Sequence, residues 1–344
     1  MSSITPKILK SNPVILGIES SCDETSASVC SGGQILSNII ATQSIHEQYG
    51  GVVPELASRA HIQNILPVVV NALKNAQLDL GSLDAIAYTQ APGLIGALLV
   101  GSSFAKSLSL GLNIPLIEVH HMQAHVLANL IEEPRPAFPF LCLTVSGGHT
   151  QIVLAKSPMD FTILGETLDD AAGEAFDKSA KILGLPYPGG PLIDRYAKEG
   201  KQVFPFAQPQ IPDLNFSFSG IKTSILYFIQ KQIKTDPDFI TNNLQDLCAS
   251  IQYALVETLM KKLVKAISQT GIRRVCLAGG VSANSGLRKS FIRAGETQGF
   301  ETFIPAFTYC TDNAAMIALT GHYKYLNGSF ASLNSSPSAR ASWT

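Results

Sequence analysis

The same order of predicted strands and helices occurs twice along this chain. Strands predicted at 14–18, 26–30 and 34–41 are followed by a helix, a strand, a helix and a further strand. Three strands predicted within 138–165 begin the same series again. Strands are predicted where apolar runs lie between polar turns, and helices where apolar residues recur every three or four positions. A β-β-β-α-β-α-β-α module in each half indicates an α/β fold of two similar lobes with a cleft between them.

The repeat also sets the predicted domain boundaries. The first lobe is expected at 13–131. The helix at 312–327 follows the second lobe in sequence but could pack against the first. The second lobe is expected at 132–328, with an insertion rich in Pro, Gly and Phe at about 184–235. The stretch 329–344, rich in Ser, Ala and Asn, is predicted to be a flexible tail.

Composition excludes several classes of protein. The 344 residues are 46% hydrophobic, which is enough for two domains, and a net charge of −1 argues against general nucleic-acid coating. The six cysteines are scattered without a C-x-x-C pattern, which is typical of reduced core residues. The first 12 residues lack an apolar core, and the apolar stretch at 94–99 is too short to span a membrane. We therefore expect a cytoplasmic protein.

A cluster of histidines follows the last strand of the first repeat. His121 and His125 are four residues apart and therefore share one face of a helix, one turn from each other. Two imidazoles at that separation can bind one cation, although partly buried histidines can also simply pack. His120 lies off this face and is interpreted as structural.

The repeat supplies a third metal ligand. Asp312 follows the last strand of the second repeat, the position equivalent to the two histidines in the first. An Asp here could instead cap a helix N-terminus. Two histidines and one carboxylate leave coordination positions open for a substrate oxygen, so the sequence predicts a metal site at His121, His125 and Asp312.

Glycine-rich turns predict a nucleotide site. The tight turn Ser146-Gly147-Gly148 stands at the first hairpin of the second repeat, and the first repeat has a polar turn at the same place. Backbone N–H groups in such turns cradle phosphates, and glycine lets a ligand approach closely. Gly279-Gly280 ends another strand of the second repeat. A single turn of this kind would be an ordinary hairpin, whereas the set indicates nucleotide binding.

Charged stretches in the second half are harder to interpret. Glu166 and Asp169 are predicted to be a solvated helix start, whereas Asp177 and Asp194 are candidates to contact a ligand. Between 255 and 293 there are eight basic residues and one acid. A solvated helix face and an RNA contact explain this run equally well.

Seven motifs in this order resemble the TsaD/Kae1/Qri7 family, most closely its bacterial branch, over about 14–325. They are Gly17-Ile18-Glu19-Ser20-Ser21-Cys22-Asp23-Glu24-Thr25, His120-His121-Met122-Gln123-Ala124-His125, Val145-Ser146-Gly147-Gly148-His149-Thr150, Gly189-Gly190-Pro191, Phe216-Ser217-Phe218-Ser219-Gly220-Ile221-Lys222, Ala278-Gly279-Gly280-Val281-Ser282-Ala283-Asn284 and Cys310-Thr311-Asp312-Asn313.

The resemblance implies an actin/Hsp70/sugar-kinase-like (RNase H-like) fold. It also implies transfer of the threonylcarbamoyl group from threonylcarbamoyl-AMP to N6 of adenosine 37 in tRNAs that read ANN codons. His121, His125 and Asp312 would bind one divalent metal ion, taken as iron, with zinc or magnesium as alternatives. The adenylate, as threonylcarbamoyl-AMP or ATP, would be held by a set of residues in the second repeat: Thr144, Val145, Ser146, Gly147, Gly148, Asp177, Gly190, Asp194 and Asn284.

The resemblance further implies helper proteins similar to TsaB and TsaE, and a separate enzyme that makes the adenylate. An apolar helical face at Ile62, Ile65, Leu66 and Val69 could dock a helper, or could pack in the core. One departure is visible: the family often has His-Met-Glu-Gly-His, and this chain has Gln123 and Ala124 at the two central positions. This replacement puts in doubt any role for an acid between the histidines.

Three other functions fit part of this pattern. A metalloprotease is suggested by His-x-x-x-His, but a zinc protease needs Glu directly after the first His, where this chain has Met122. A kinase or ATPase of the same superfamily would need the glycine turns but not the histidine pair. A non-catalytic scaffold would bind nucleotide and partner proteins. No side chain is assigned as a general base.

Overall fold

The structure is a computed structural model that describes Ile4, Thr5 and residues 8–209, 211–341 and 343. Of the first 12 residues, for which the sequence predicts no apolar core, 1–3, 6 and 7 lie outside the described residues, as do 342 and 344 of the predicted tail.

The strands are β1 (Val14–Glu19), β2 (Glu24–Ser31), β3 (Gln34–Thr42), β4 (Ala85–Ala91), β5 (Leu116–His120), β6 (Phe140–Val145), β7 (Thr150–Ser157), β8 (Asp160–Glu166), β9 (Arg274–Ala278) and β10 (Glu301–Phe303). The helices are α1 (Pro54–Asn75), α2 (Ile95–Leu112), α3 (His121–Leu127), α4 (Ala172–Ile182), α5 (Gly189–Ala197), α6 (Ser219–Gln232), α7 (Phe239–Asn242), α8 (Leu244–Thr270), α9 (Ser285–Gln298) and α10 (Ala314–Leu326).

The chain forms two compact units, and the first contains Met1–Arg135, Lys156–Phe161 and Pro305–Thr344. Its sheet has the order β3-β2-β1-β4-β5. β1 pairs antiparallel with β2 and parallel with β4, which in turn pairs parallel with β5. Strand β1 is central and almost wholly buried, as expected for an apolar run with a layer on each face. The carboxyl ends of β1, β4 and β5 therefore lie at one edge of the sheet.

The second unit contains Pro136–Ala155 and Thr162–Ile304. Its sheet has the order β10-β9-β6-β7-β8. Strand β6 pairs antiparallel with β7 and parallel with β9. Its core is formed by apolar side chains of this sheet and of α4, α6, α8 and α9, including Leu143, Phe176, Ile225 and Leu259.

Each sheet places its first strand in the centre, the next two strands on one side and the last two on the other. This shared order confirms the prediction of a duplicated α/β module. Helix α10 belongs to the first unit, whereas the predicted boundary at 131–132 and the flexibility of 329–344 stay predictions. Helices α5, α6 and α7 lie in or just after the insertion and were not predicted, because Pro and Gly interrupt its apolar pattern.

Among the described residues, one helix is long and apolar enough to cross a membrane. This is α2, with 18 residues and a mean hydropathy of 1.4. The apolar stretch at 94–99, which the sequence shows to be too short for a span, covers only the start of this helix. Helix α2 packs on β4 and α1 of the first unit, so its apolar inner face already has a partner, and one such helix is weak evidence for a membrane span.

Candidate metal centre and nucleotide turns

The two candidate histidine ligands lie where β5 passes into α3. Strand β5 ends at His120 and α3 begins at His121, so His121 and His125 lie on successive turns, as the spacing predicts. Both side chains are buried. Their rings contact edge to face, with centroids 4.6 Å apart.

Asp312 reaches this point because α10 begins immediately after it. The helix is capped by Asn313, whose side chain accepts the N–H of Met316 at 3.1 Å. The alternative role of Asp312 as the helix cap is therefore excluded. A Cβ at Gly17 would lie 2.6 Å from the carbonyl oxygen of Ala314, so only glycine on β1 lets α10 start this close to the sheet.

The three side chains offer a set of donors with the spacing of a metal site. Nε2 of His125 lies 3.1 Å from Nε2 of His121 and 3.1 Å from Oδ1 of Asp312. Nε2 of His121 lies 3.3 Å from the same Oδ1. Donors bound to one cation at about 2.0–2.2 Å lie roughly 3–3.5 Å from each other. The donor set therefore fits a divalent cation, and nitrogen with carboxylate oxygen suits iron or zinc.

Glu19, at the end of β1, orients the first of these ligands. Its Oε2 lies 3.0 Å from Nδ1 of His121 and accepts the hydroxyl of Thr89 at 2.6 Å. Its Oε1 accepts the backbone N–H of Ser21 at 2.5 Å. With Nδ1–H donated to a carboxylate, Nε2 of His121 keeps its lone pair for a metal. Glu19 was not predicted as a site residue, although an acid that ends an otherwise apolar, buried strand is a signal for one.

The charges in this pocket are set by burial and by each other. Burial opposes the charged form of His121, but Asp312 and Glu19 outweigh it and raise its pKa well above the usual value. Burial lowers the pKa of His125. Burial, together with Asp312 and Asp23, raises the pKa of Glu24 to about 10. Two imidazoles and the carboxylates of Glu19 and Asp312 thus share one pocket, and a divalent cation bound there would offset the negative charge.

The serine–glycine turn of the second unit joins β6 to β7. The N–H of Ser146 donates to the carbonyl of His149 at 2.8 Å, and the N–H of His149 donates to Oγ of Ser146 at 3.0 Å. A Cβ at Gly147 or Gly148 would meet no protein atom within 4 Å. The turn is therefore fixed at its ends and open at its glycines, as a phosphate cradle requires.

Gly279 brings the end of β9 against this turn. Its φ is +83°, and a Cβ there would lie 2.4 Å from the carbonyl oxygen of Val145. Thr144 pairs with Ala278 in the parallel sheet, so the carboxyl ends of β6 and β9 coincide. The side chains of Thr144 and Val145 are buried. These two residues therefore offer their backbone, and not their side chains, to the edge where ligands bind in α/β sheets.

Asp177 ties α4 to the start of α5. Its Oδ1 accepts the N–H groups of Gly189 and Gly190 at 2.8 and 3.0 Å. Burial raises the pKa of Asp177, although both N–H groups oppose the rise. The structure thus places Gly190 beside Asp177, and one carboxylate oxygen is already used by the protein.

Asp194 and Asn284 meet at the start of α9. Oδ1 of Asp194 accepts the N–H and the hydroxyl of Ser285 at 3.0 and 2.7 Å. Oδ1 of Asn284 caps α9 by accepting the N–H of Leu287, while its Nδ2 donates to Gln252 at 2.7 Å. Asp194 and Asn284 are therefore both held at the start of α9, and their role as ligands stays a prediction.

Asp169 is exposed, as predicted, but its carboxylate also makes contacts that were not predicted. Its Oδ1 accepts the N–H of Phe218 at 2.8 Å, and its Oδ2 accepts the hydroxyl of Ser217 at 2.5 Å. The carboxylate therefore holds the N-terminus of α6. The local sequence pattern does not predict these hydrogen bonds, because the two partners of Asp169 lie 48 and 49 residues later in the chain.

Much of the basic run at 255–293 also makes structural contacts. Lys262 donates to the carbonyls of Ile211 and Asp213, at 2.5 and 2.9 Å. Arg274 donates to the carbonyl of Ala137 at 3.1 Å. Lys289 and Arg293 are exposed one turn apart on α9. The basic residues of this run that are available for an RNA contact are therefore fewer than the eight in the sequence.

Solved structures place the fold in the actin/Hsp70/sugar-kinase class. The chain superposes on the HypF protein of T. kodakarensis with a TM-score of 0.63 and 14% identity, over 93% of this chain and 48% of that one. It superposes on (R)-2-hydroxyglutaryl-CoA dehydratase component A of Acidaminococcus fermentans with a TM-score of 0.53 and 15% identity, over 91% and 99% of the two chains. At these identities the likeness concerns the fold alone.

Sequence comparison then identifies the family. The family model described as "TsaD: tRNA N6-adenosine threonylcarbamoyltransferase" matches residues 34–319. A protein of that name from Christiangramia forsetii is 59% identical over 95% of this chain and 97% of its own length. One from Cytophaga hutchinsonii is 57% identical over 95% of each chain. The chain belongs to the TsaD family, and it is an enzyme of the transferase class.

Family membership disfavours the alternative functions. The burial of one side chain also argues against a metalloprotease. Met122, at the position of a zinc protease's general base, is 1% exposed inside the first unit. An apolar, buried side chain there cannot activate water.

Proposed function

We propose that this protein transfers the threonylcarbamoyl group from threonylcarbamoyl-AMP to N6 of adenosine 37 in tRNAs that read ANN codons. The observation that carries the proposal is the donor triangle of His121, His125 and Asp312 in a chain of this family. In the reaction, the exocyclic amine attacks the carbamoyl carbon. A C–N bond forms, the bond from that carbon to the phosphate oxygen breaks, the amine loses a proton and AMP leaves.

His121, His125 and Asp312 would hold one divalent cation, which we take to be iron, with zinc or magnesium as alternatives. A cation in this place supplies electrophilic assistance to a carbonyl or carboxylate oxygen. The protein's own part is to keep the three donors converged. Glu19 fixes the ring of His121, and the start of α10 fixes Asp312. An adenine amine is a weak nucleophile, so positioning contributes most to the rate.

The Ser146-Gly147-Gly148 turn would hold the adenylate phosphate with its backbone N–H groups. This is supported by the open space at both glycines. Asp177 and Asp194 each use Oδ1 within the protein. Oδ2 of Asp194 also lies 3.6 Å from Nζ of Lys198, so Oδ2 of Asp177 is the more available atom for a ribose or base. We also propose that the enzyme is cytoplasmic and works with TsaB-like and TsaE-like helpers.

A line of exposed apolar side chains on α1 supports a docking surface for the TsaB-like helper. Ile62, Leu66 and Val70 are 65%, 58% and 53% exposed and recur every four residues. Ile65 and Val69, which the sequence placed in the same face, are buried in the core. A Leu66→Glu substitution should therefore weaken helper binding, whereas Asn71→Asp, an exposed position away from this line on the same helix, should not.

The decisive experiment incubates the purified protein with threonylcarbamoyl-AMP and tRNA, with and without helpers, followed by nucleoside analysis. His121→Ala should abolish transfer and metal retention while circular dichroism stays unchanged. His46→Ala is the matched control, because it removes a buried histidine of the same unit that is not a donor. Wild-type transfer by His121→Ala would refute the metal site.

A further inference from the structure

The chain after α10 returns to the helix that carries the histidines. The N–H of Ala331 donates to the carbonyl of Leu116 at 2.8 Å, along the edge strand β5. The N–H of Ser338 then donates to the carbonyl of Gln90 at 3.1 Å, and the carbonyl of Ala339 accepts the N–H of Gly93 at 3.3 Å. The C-terminal segment thus follows the edge of the sheet towards its carboxyl end.

The segment ends on α3. The carbonyl of Trp343 accepts Nε2–H of Gln123 at 3.2 Å. The indole ring lies 5.5 Å from the His120 ring and 5.8 Å from the Phe161 ring, measured between centroids. Gln123 is the one residue of α3 that is not buried. It stands midway between His121 and His125.

Helix α3 has only seven residues. A helix of that length is not stable on its own, so tertiary contacts must hold its donors in register. Its buried face packs on α10. On the other side, the described structure gives Gln123 the carbonyl of Trp343 as partner.

We propose that residues 335–341 and 343 form a C-terminal clamp on α3, in which Gln123 and Trp343 are positioning residues for the two histidine ligands. The inference rests on the metal site proposed above. It also gives a reason for an amide at position 123. A glutamine donates to the Trp343 carbonyl, whereas a glutamate at neutral pH offers only acceptors and would repel that oxygen.

The clamp can be observed directly, because Trp343 is the only tryptophan of the chain. Three isosteric variants add the same charge. Gln123→Glu breaks the contact between the segment and α3, and Gln90→Glu removes the donor to the carbonyl of Ser336 at 2.7 Å. Gln63→Glu is the control, because it touches no part of the segment. Acrylamide quenching of the metal-free full-length proteins reports the accessibility of Trp343. A Co²⁺ titration of the same proteins reports the affinity of the donors.

We expect the quenching constant to rise about twofold in Gln123→Glu and Gln90→Glu, and the Co²⁺ dissociation constant to rise about tenfold, the usual size of an outer-shell effect. Gln63→Glu should match the wild type in both. Direct attraction from the new charge at position 123 would instead tighten Co²⁺ binding. Unchanged quenching in both segment variants would overturn the clamp. Increased quenching with unchanged or tighter Co²⁺ binding would overturn its positioning role.

Failure of the metal site gives a different result from failure of the clamp. If the wild type does not bind Co²⁺, the proposed metal site and the positioning role fall together. The quenching data on metal-free protein still decide whether the segment is docked on α3.

Discussion

Oε2 of Glu19 lies 3.0 Å from Nδ1 of His121, a residue 102 positions later in the chain. The two come together because β1 and β5 flank β4 in one parallel arrangement and end at the same edge of the sheet. The carboxylate fixes both the tautomer and the orientation of the ring. The orientation of the proposed donor His121 therefore depends on a residue that is not itself one of the three donors.

Glu19→Gln should weaken metal binding without removing a ligand. The amide keeps the size of the side chain but loses the charge that supports the His121 ring, and outer-shell changes of this kind cost about 10–100-fold in affinity. Competition titrations with Co²⁺ measure the effect. Glu55→Gln, on an exposed residue of the same unit, is the control. Equal affinities for wild type and Glu19→Gln would contradict the orienting role.

Gly147→Ala and Gly279→Ala should fail in different ways. Gly147 faces open space, so its alanine variant should keep wild-type stability and lose affinity for a non-hydrolysable adenylate. Gly279 has φ +83° and would press a Cβ against the Val145 carbonyl. Its variant should lose roughly 1–3 kcal/mol of stability from backbone strain. Urea unfolding and calorimetric binding separate the two; a destabilised Gly147→Ala with normal binding would argue against a phosphate cradle.

Asp177→Ala should release the N-terminus of α5. It removes the acceptor for the N–H groups of Gly189 and Gly190, and loss of a helix-capping acceptor costs about 0.5–2 kcal/mol. Asp177→Asn retains an Oδ1 acceptor and should recover most of this stability. Comparing both variants in urea unfolding checks the contact. If Asn is as damaging as Ala, the charge and not the acceptor is what stabilises the turn.

Stability should fall below about pH 6.5 partly because of His61. Its Nε2–H donates to the Cys22 carbonyl at 2.9 Å and its Nδ1 accepts the Thr25 hydroxyl at 2.8 Å, so the folded ring is neutral. Burial lowers its pKa from 6.5, against the opposing effect of the Cys22 carbonyl. Below that pH the unfolded chain binds a proton that the folded chain does not, and folding loses free energy until the folded pKa is reached.

The His61→Gln variant isolates this contribution. It should be less stable than the wild type by about 1–3 kcal/mol at pH 7.5, because a buried hydrogen-bonded pair is disturbed. The difference should shrink at pH 5.5, where only the wild type has lost the stability carried by neutral His61. Urea unfolding at both pH values measures it. A difference that stays constant or grows on acidification would show that His61 is not neutral in the fold.

Local pattern was sufficient for the secondary structure and for part of the site. The strands and most helices follow from apolar periodicity, and the i, i+4 spacing put both histidines on one face. Helices in the insertion escaped prediction because tertiary packing, and not periodicity, stabilises them. The contacts of Asp169 escaped prediction for a related reason: an exposed carboxylate has the same local pattern whether or not it also accepts a distant N–H group.

The sequence by itself determined the duplicated module, the glycine turns, the histidine pair and, through the repeat, Asp312. Only the tertiary structure decided that Glu19 supports His121 and that Trp343 lies on α3. The physical reason is the distance along the chain over which each kind of interaction acts. Periodicity and turn chemistry act over a few residues, whereas these contacts arise from strand order in the sheet, which brings together side chains one hundred or more positions apart.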